Sequence, residues 1–446
     1  MSHLSAPVPL SGRRGGLIVA TVLLAVVAAA VVGWGAGAAD PPASGQGGQG
    51  ADDPAAANHA ATRLRAAAGR RLIAAVQLGW SARDGRSFAN AVADSARGRQ
   101  AARETWQAWQ DLHVDDLRLR WVRAVRPPPG QPAGSAAALL RAQWTQPGWP
   151  APAATELTVV FSVGAAPGSP DGRLVDWTPG IVPTPAPMPV WAMGRLAIAS
   201  SAADRVVSLP GSLRRTLPPQ IGLPGLVRQA HRSVSALVPG GDDRVQVVLA
   251  DRTGQFRALL GQPTAGGHQS VAAVTTTVGR SANGEAAVQV VLNPDVVRRL
   301  RPAAFPVVLA HEITHAVTGA ATVPMPLWVA EGFADFVALH AHPVPVRTAA
   351  AGALAQVRRH GPPRSLPGNA DLAPGAPGAD RFYELAWLAV RSLHHRVGTS
   401  ATAAFHQAVA HGQPVGDALR QHAGLSLARL TAAWRADIAR LADDDH

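Results

Sequence analysis

The 446-residue chain contains no cysteine. That excludes a disulfide framework, a zinc ribbon and a thiol nucleophile, and it fits an exported protein. Lysine is also missing, so the 41 basic residues are all arginine, against 29 acidic ones, for a formal charge of +12. A balance of this kind can mark a nucleic-acid binder, but such proteins cluster their charge and carry a recognisable binding motif. Here the arginines are scattered, with no basic run beyond pairs, and no such motif occurs. No nucleic acid is expected as a partner, and attraction to anionic envelope surfaces is a milder consequence of the charge. Tyrosine occurs once, at Tyr383, and charged residues make up 16% against 47% hydrophobic, so most of the chain has the means to fold. Its alanine, arginine, proline and glycine usage is that of a high-GC genome.

The length suits two or three domains. Residues 1–38 open with a polar head holding Arg13-Arg14, and Leu17–Val32 is wholly apolar apart from Thr21 and continues through Gly33–Ala38. About 20 apolar residues span a bilayer. Arginines on the N-terminal side place the N-terminus inside and the rest outside, with Trp34 at the outer interface. The expectation is a single-pass anchor in the cytoplasmic membrane. The alternative is a signal peptide cleaved near Ala36-Gly37-Ala38, releasing a secreted protein. Residues 39–59, with Pro41-Pro42 and a Ser/Gly/Gln run, read as a flexible linker.

Residues 60–209 read as an α+β accessory domain. Helical patterns at 61–77 and 87–110 precede strand-like runs at 117–125, 137–145, 156–163, 190–199 and 205–209. Helices followed by an antiparallel sheet are similar to the cone-shaped nuclear transport factor 2-like fold. Trp106, Trp109, Trp121, Trp144 and Trp149 lie in this part, where core packing is the expected use and a ligand pocket the alternative. Residues 210–225 form a proline-rich connector, and 226–446 a second, mainly helical domain. It begins with a helix at 226–238, strands at 244–250, 271–277 and 287–292, a short helix near 253–260, and a turn at Asn283-Gly284. Further helices are read at 347–359, from 381 to about 397, and over 399–442.

The chemistry centres on His311-Glu312-Ile313-Thr314-His315 and on Trp328–Asp335. On a helix, residues four apart share a face, so His311 and His315 can offer two imidazole nitrogens to one ion. Glu312 stands beside them, placed to take a proton from a metal-activated water. A catalytic zinc commonly takes a third protein ligand. Glu331 is the natural candidate, on a second helix. Pro306 suits the first turn of the first helix, Gly319 its end, and Pro326 the start of the next. Asp335, one turn after Glu331, can accept the spare ring N–H of a ligand histidine. The pattern resembles the gluzincin metallopeptidases of the peptidase MA-like superfamily, in which HExxH is followed by a helix carrying Glu with Asp four later. The resemblance implies zinc held by His311, His315 and Glu331, with Glu312 as general base and Asp335 behind a ligand, most naturally His311. Related peptidases also place a downstream Tyr or His to donate to the oxyanion, and Tyr383 is the candidate here. They have a small sheet whose edge strand binds peptide.

His340 and His342 cannot share a helix face and read as surface or supporting groups. His394 and His395 read as solvent-facing, and His231, His268 and His360 as structural. The expected activity is zinc-dependent peptide-bond hydrolysis outside the cytoplasmic membrane, with a peptide or protein as substrate. No Gly-Ala-Met-Glu-Asn motif, the amine-binding signature of related aminopeptidases, precedes His311, which favours an endopeptidase. The alternative is a catalytically inactive envelope protein that keeps the domain for binding or scaffolding.

Overall fold

The structure is a computed structural model. It describes residues 54–443 apart from 93–95, 128–134, 151, 165–172, 183–186, 202, 211, 213–221, 239–243, 263–270, 279–286 and 374–375. The apolar stretch read as an anchor or signal peptide, the Asn283-Gly284 turn and His268 lie outside the described residues. Among the described residues no helix is long and apolar enough to cross a membrane.

The chain begins with α1 (Pro54–Ala82), α2 (Gly85–Val92) and α3 (Ala96–Asp111). Helix α1 starts inside the stretch read as a linker. A four-stranded antiparallel meander follows, β1 (Asp115–Val125), β2 (Ser135–Thr145), β3 (Ala153–Gly164) and β4 (Arg173–Val182), in sheet order β1-β2-β3-β4. Alternation sets the faces: Leu117 and Leu119 are buried between exposed Arg118 and Arg120. Strand β4, which carries Pro179 and Gly180, was not legible from its composition, because both residues are poor strand formers. Trp106, Trp109 and Trp144 pack in the core, whereas Trp121 and Trp149 are half-buried. Edge-to-face contacts link Trp109 to Trp191 at 5.7 Å and Trp144 to Trp191 at 5.6 Å. Trp191 sits on a 3₁₀ turn, Val190–Met193, where the sequence suggested a strand.

A second, five-stranded sheet comprises β5 (Ala197–Ser200), β6 (Asp204–Ser208), β7 (Val245–Leu249), β8 (Ala273–Thr277) and β9 (Val288–Leu292), in the order β5-β6-β7-β9-β8. β6, β7 and β9 run parallel, and the outer strands β5 and β8 are antiparallel to their neighbours. The segments read as the last strands of the first sheet, β5 and β6, therefore belong to the second. The cause is two-sided burial. Val206, Val247 and Leu249 face one core, while Val207 and Val248 face the core shared with Trp109 and Trp191. Strands covered on both faces read as continuous apolar runs rather than alternating ones, and Val245–Leu249 is buried at every position.

The first of these cores is closed by helices. Helix α4 (Leu223–Leu237) precedes β7, and the short α5 (Thr253–Leu259) and α6 (Pro294–Val297) flank the two last strands in the chain. Then come α7 (Phe305–Thr318), α8 (Leu327–Ala341), α9 (Val346–Ala349), α10 (Ala351–His360), α11 (Ala379–Ala410), α12 (Val415–Ala423) and α13 (Leu427–Asp443). The helix read at 347–359 is broken at Ala350 into α9 and α10. α11 kinks at Gly398, where φ is 78° and ψ 175°. The whole is a mixed α and β fold with two sheets. Helix α7 lies against the edge strand β8 and packs on α4 and α8.

Candidate metal centre

Helix α7 is delimited as its sequence suggests. Pro306 occupies its first turn, and Gly319 closes it in the left-handed region with φ 69°. Helix α8 begins after Pro326, and the Leu327 N–H, which has no helical acceptor, donates to Asn369 Oδ1 at 2.9 Å. Two turns of α7 face two turns of α8, and His311, Glu312, His315, Glu331 and Asp335 converge at that contact, none more than 2% exposed.

His311 Nδ1 lies 2.7 Å from Asp335 Oδ1. A carboxylate there favours a proton on Nδ1, so that when a metal takes the place of the second ring proton, Nε2 is the nitrogen that would bind it. His315 Nε2 is 3.0 Å from that Nε2. Glu331 Oε2 is 3.4 Å from both nitrogens and accepts no hydrogen bond. Two imidazole nitrogens and a carboxylate oxygen thus converge on one point. The arrangement is unfavourable unless a cation, either a proton or a metal, fills it. Among the described residues this is the one group of three such side chains whose ligand atoms all fall within 4.8 Å of one another. Two imidazole nitrogens and one carboxylate oxygen are the donor set of catalytic zinc, so the residues fit that ion. The electrostatics agree. Burial alone would depress the His311 pKa, but Asp335 and Glu331 beside it raise it well above the usual histidine range. Burial works to raise Glu331, yet His315 and His311 hold it down to about 2.

Glu312 is held from the sheet. Thr275 Oγ1, on β8, lies 2.5 Å from Glu312 Oε2 and 3.0 Å from the Glu312 carbonyl oxygen. Glu312 Oε1 is buried without a partner. Burial raises the Glu312 pKa, although His311 and His315 oppose it.

Tyr383 lies in the first turns of α11, buried, and its hydroxyl donates to the Leu372 carbonyl at 3.2 Å. Burial and then the Glu331, Asp335 and Glu312 carboxylates push its pKa far up, so it remains a donor. Next to it, Glu384 accepts the Ala353 N–H at 2.6 Å and caps the start of α10.

The other histidines separate clearly. His340 is exposed and His342 half-buried, and neither belongs to the cluster. His394 is half-buried against Phe336, ring centres 4.8 Å apart, rather than solvent-facing, while His395 and His360 are exposed. His231 pairs through Nδ1 with Asp204 Oδ1 at 2.6 Å in the core. Sequence reasoning placed Thr275 in a strand, leaving open whether it belonged to a peptide-binding edge, without tying it to Glu312, and it passed over His406. His406 is buried, stacked on Phe333 at 4.1 Å, and held neutral by burial and then by His315, its pKa lowered to about 3. A lone histidine in an alanine-rich helix gives no signal, and a threonine in a strand reads as ordinary β propensity.

No protein-family model matches the sequence, and no curated protein matches it. Among solved structures, an M1 zinc metallopeptidase from Deinococcus radiodurans is similar at 15% identity and a TM-score of 0.33, over 68% of this chain and 61% of that one. An M1 zinc metallopeptidase variant of Deinococcus radiodurans bound to a Tyr-Ser-Ala substrate is similar at 14% identity and a TM-score of 0.32, over 72% and 85%. The chain spans less than two thirds of the first of these.

Proposed function

We propose that the chain is a zinc-dependent peptidase acting outside the cytoplasmic membrane, with an endopeptidase favoured over an aminopeptidase. The observation that carries the reading is the convergence of His311 Nε2, His315 Nε2 and Glu331 Oε2, with the Glu312 carboxylate beside them. These three side chains would hold zinc. When bound, the ion supplies Lewis acidity that polarises a carbonyl and brings the pKa of a water towards ~7. Glu312 takes the proton of the attacking water on Oε1 and passes it to the leaving amine. Asp335 keeps His311 in the tautomer whose Nε2 is free. Tyr383 donates to the oxyanion once its hydroxyl leaves the Leu372 carbonyl. The edge position of β8, against α7, supports a substrate that adds as a further strand. Export rests on the apolar stretch at 17–38 and on the absence of cysteine.

The burial of all five motif residues favours a second reading, a binding or scaffolding protein in which the domain no longer turns over. One experiment separates the two. Zinc per chain is measured by elemental mass spectrometry on the wild type, His311→Ala and Glu312→Gln, beside cleavage of a mixture of internally quenched peptides. The peptidase reading requires about one zinc in the wild type and in Glu312→Gln, none in His311→Ala, and cleavage by the wild type alone. A zinc-loaded wild type that cleaves nothing supports the scaffold instead.

A further inference from the structure

Strand β8 sends Ala273 and Thr275 towards α7 and Val274 to the opposite core. Thr275 carries a hydroxyl on this face and reaches the Glu312 side chain of α7. It is fully buried, and its Oγ1 is 2.5 Å from Glu312 Oε2. The hydroxyl has a single proton and two acceptors in reach. The carboxylate oxygen is nearer than the Glu312 carbonyl at 3.0 Å, and a charged acceptor makes the shorter and stronger bond. The consequence falls on the other carboxylate oxygen. With Oε2 occupied, Oε1 is the oxygen without a partner.

We propose that Thr275 is the positioning residue of the proposed general base. It clamps Oε2 so that Oε1 alone is presented for proton transfer, and it ties that orientation to the edge strand. The inference rests on the peptidase reading for its catalytic part. Its structural part, a hydrogen bond that fixes Glu312, stands without it. A valine has the same shape as threonine and satisfies the strand equally well, so a purely structural residue would tolerate the exchange on β8. A base whose carboxylate rotates freely would not. The hydroxyl, rather than the methyl group, is the working part, so serine should replace threonine.

The test uses the full chain, zinc-loaded, with internally quenched peptides as probe. Thr275→Val is expected to lower kcat about 10- to 100-fold with KM and zinc content unchanged, and Thr275→Ser to restore kcat. An unchanged kcat in Thr275→Val, or a Thr275→Ser as slow as Thr275→Val, overturns the proposal. The second readout is thermal unfolding of the zinc-free chain in a double-mutant cycle of Thr275→Val with Glu312→Ala. The valine is expected to lower Tm when Glu312 is present and to have markedly less effect when it is absent. Equal shifts in both backgrounds overturn the hydrogen bond itself. If the zinc-loaded wild type cleaves no peptide, it is the peptidase reading that fails, and the cycle alone decides whether Thr275 fixes Glu312.

Discussion

Asp335 Oδ1 stands 2.7 Å from His311 Nδ1, one turn along α8 from Glu331, whose Oε2 is 3.4 Å from the other nitrogen of the same ring. One helix therefore supplies both a proposed ligand, Glu331, and the carboxylate that contacts a proposed ligand of its neighbour, His311. Asp335 would touch a metal in the proposed site only through His311. Its loss should weaken the site without abolishing it. Asp335→Asn is expected to reduce zinc affinity about 10- to 100-fold, measured by competition with a chromogenic chelator, with the fold retained.

Gly332 carries the closeness of α8 to α11. A Cβ there would lie 2.4 Å from the Ala386 carbonyl oxygen and 2.7 Å from its carbon. Both are backbone atoms and cannot rotate away, so α8 must move as a body, taking the adjacent Glu331 with it. Gly332→Ala is expected to destabilise the chain by about 1–3 kcal/mol and to lower zinc affinity as well. Thermal unfolding with and without zinc checks both, and the gap between the two melting temperatures should shrink.

The site was far more legible than the frame around it, and the reason is local geometry. His311, His315, Glu331 and Asp335 depend on two helices whose ends are marked by Pro306, Gly319 and Pro326 and whose spacing is set by helical periodicity. Their mutual placement then follows from one short loop. Strands β5 and β6 depend instead on partners distant in the chain. Val206 pairs with Val247 across the proline-rich segment, and nothing in either strand names the other. Thr275 failed for the same reason, since its meaning lies in Glu312, on another element. Tyr383 was singled out by the resemblance, as the chain's one tyrosine downstream of the motif, and the structure adds a fact no sequence contains, that its hydroxyl is bonded to Leu372.

That bond makes a prediction about Tyr383. A donor to the oxyanion acts in the transition state alone, whereas a donor to Leu372 stabilises the resting loop. Tyr383→Phe is expected to keep zinc and KM and to lower kcat by about 10²- to 10³-fold, the usual effect of removing one such donor. If only the melting temperature falls, the hydroxyl serves the loop and another group meets the oxyanion. Steady-state kinetics on a peptide the wild type cleaves, beside a thermal scan, separates the two.

Glu384 gives a pH dependence that does not involve the metal. Burial pushes its pKa from 4.5 up to about 7, against the opposing pull of the Ala353 and Gly352 N–H groups at the start of α10. Between those values the folded chain keeps a proton that the unfolded chain has lost. Protons bound to the folded state alone make stability fall as pH rises, so this group costs stability progressively from pH 4.5 to 7 and by a constant amount above. Glu384→Gln keeps an acceptor for α10 and cannot ionise. The variant should therefore gain on the wild type, in melting temperature of the zinc-free chain, between pH 5 and pH 8. A difference that is the same at both values would mean that Glu384 is already ionised at pH 5, its carboxylate stabilised by the helix start more than burial disfavours it.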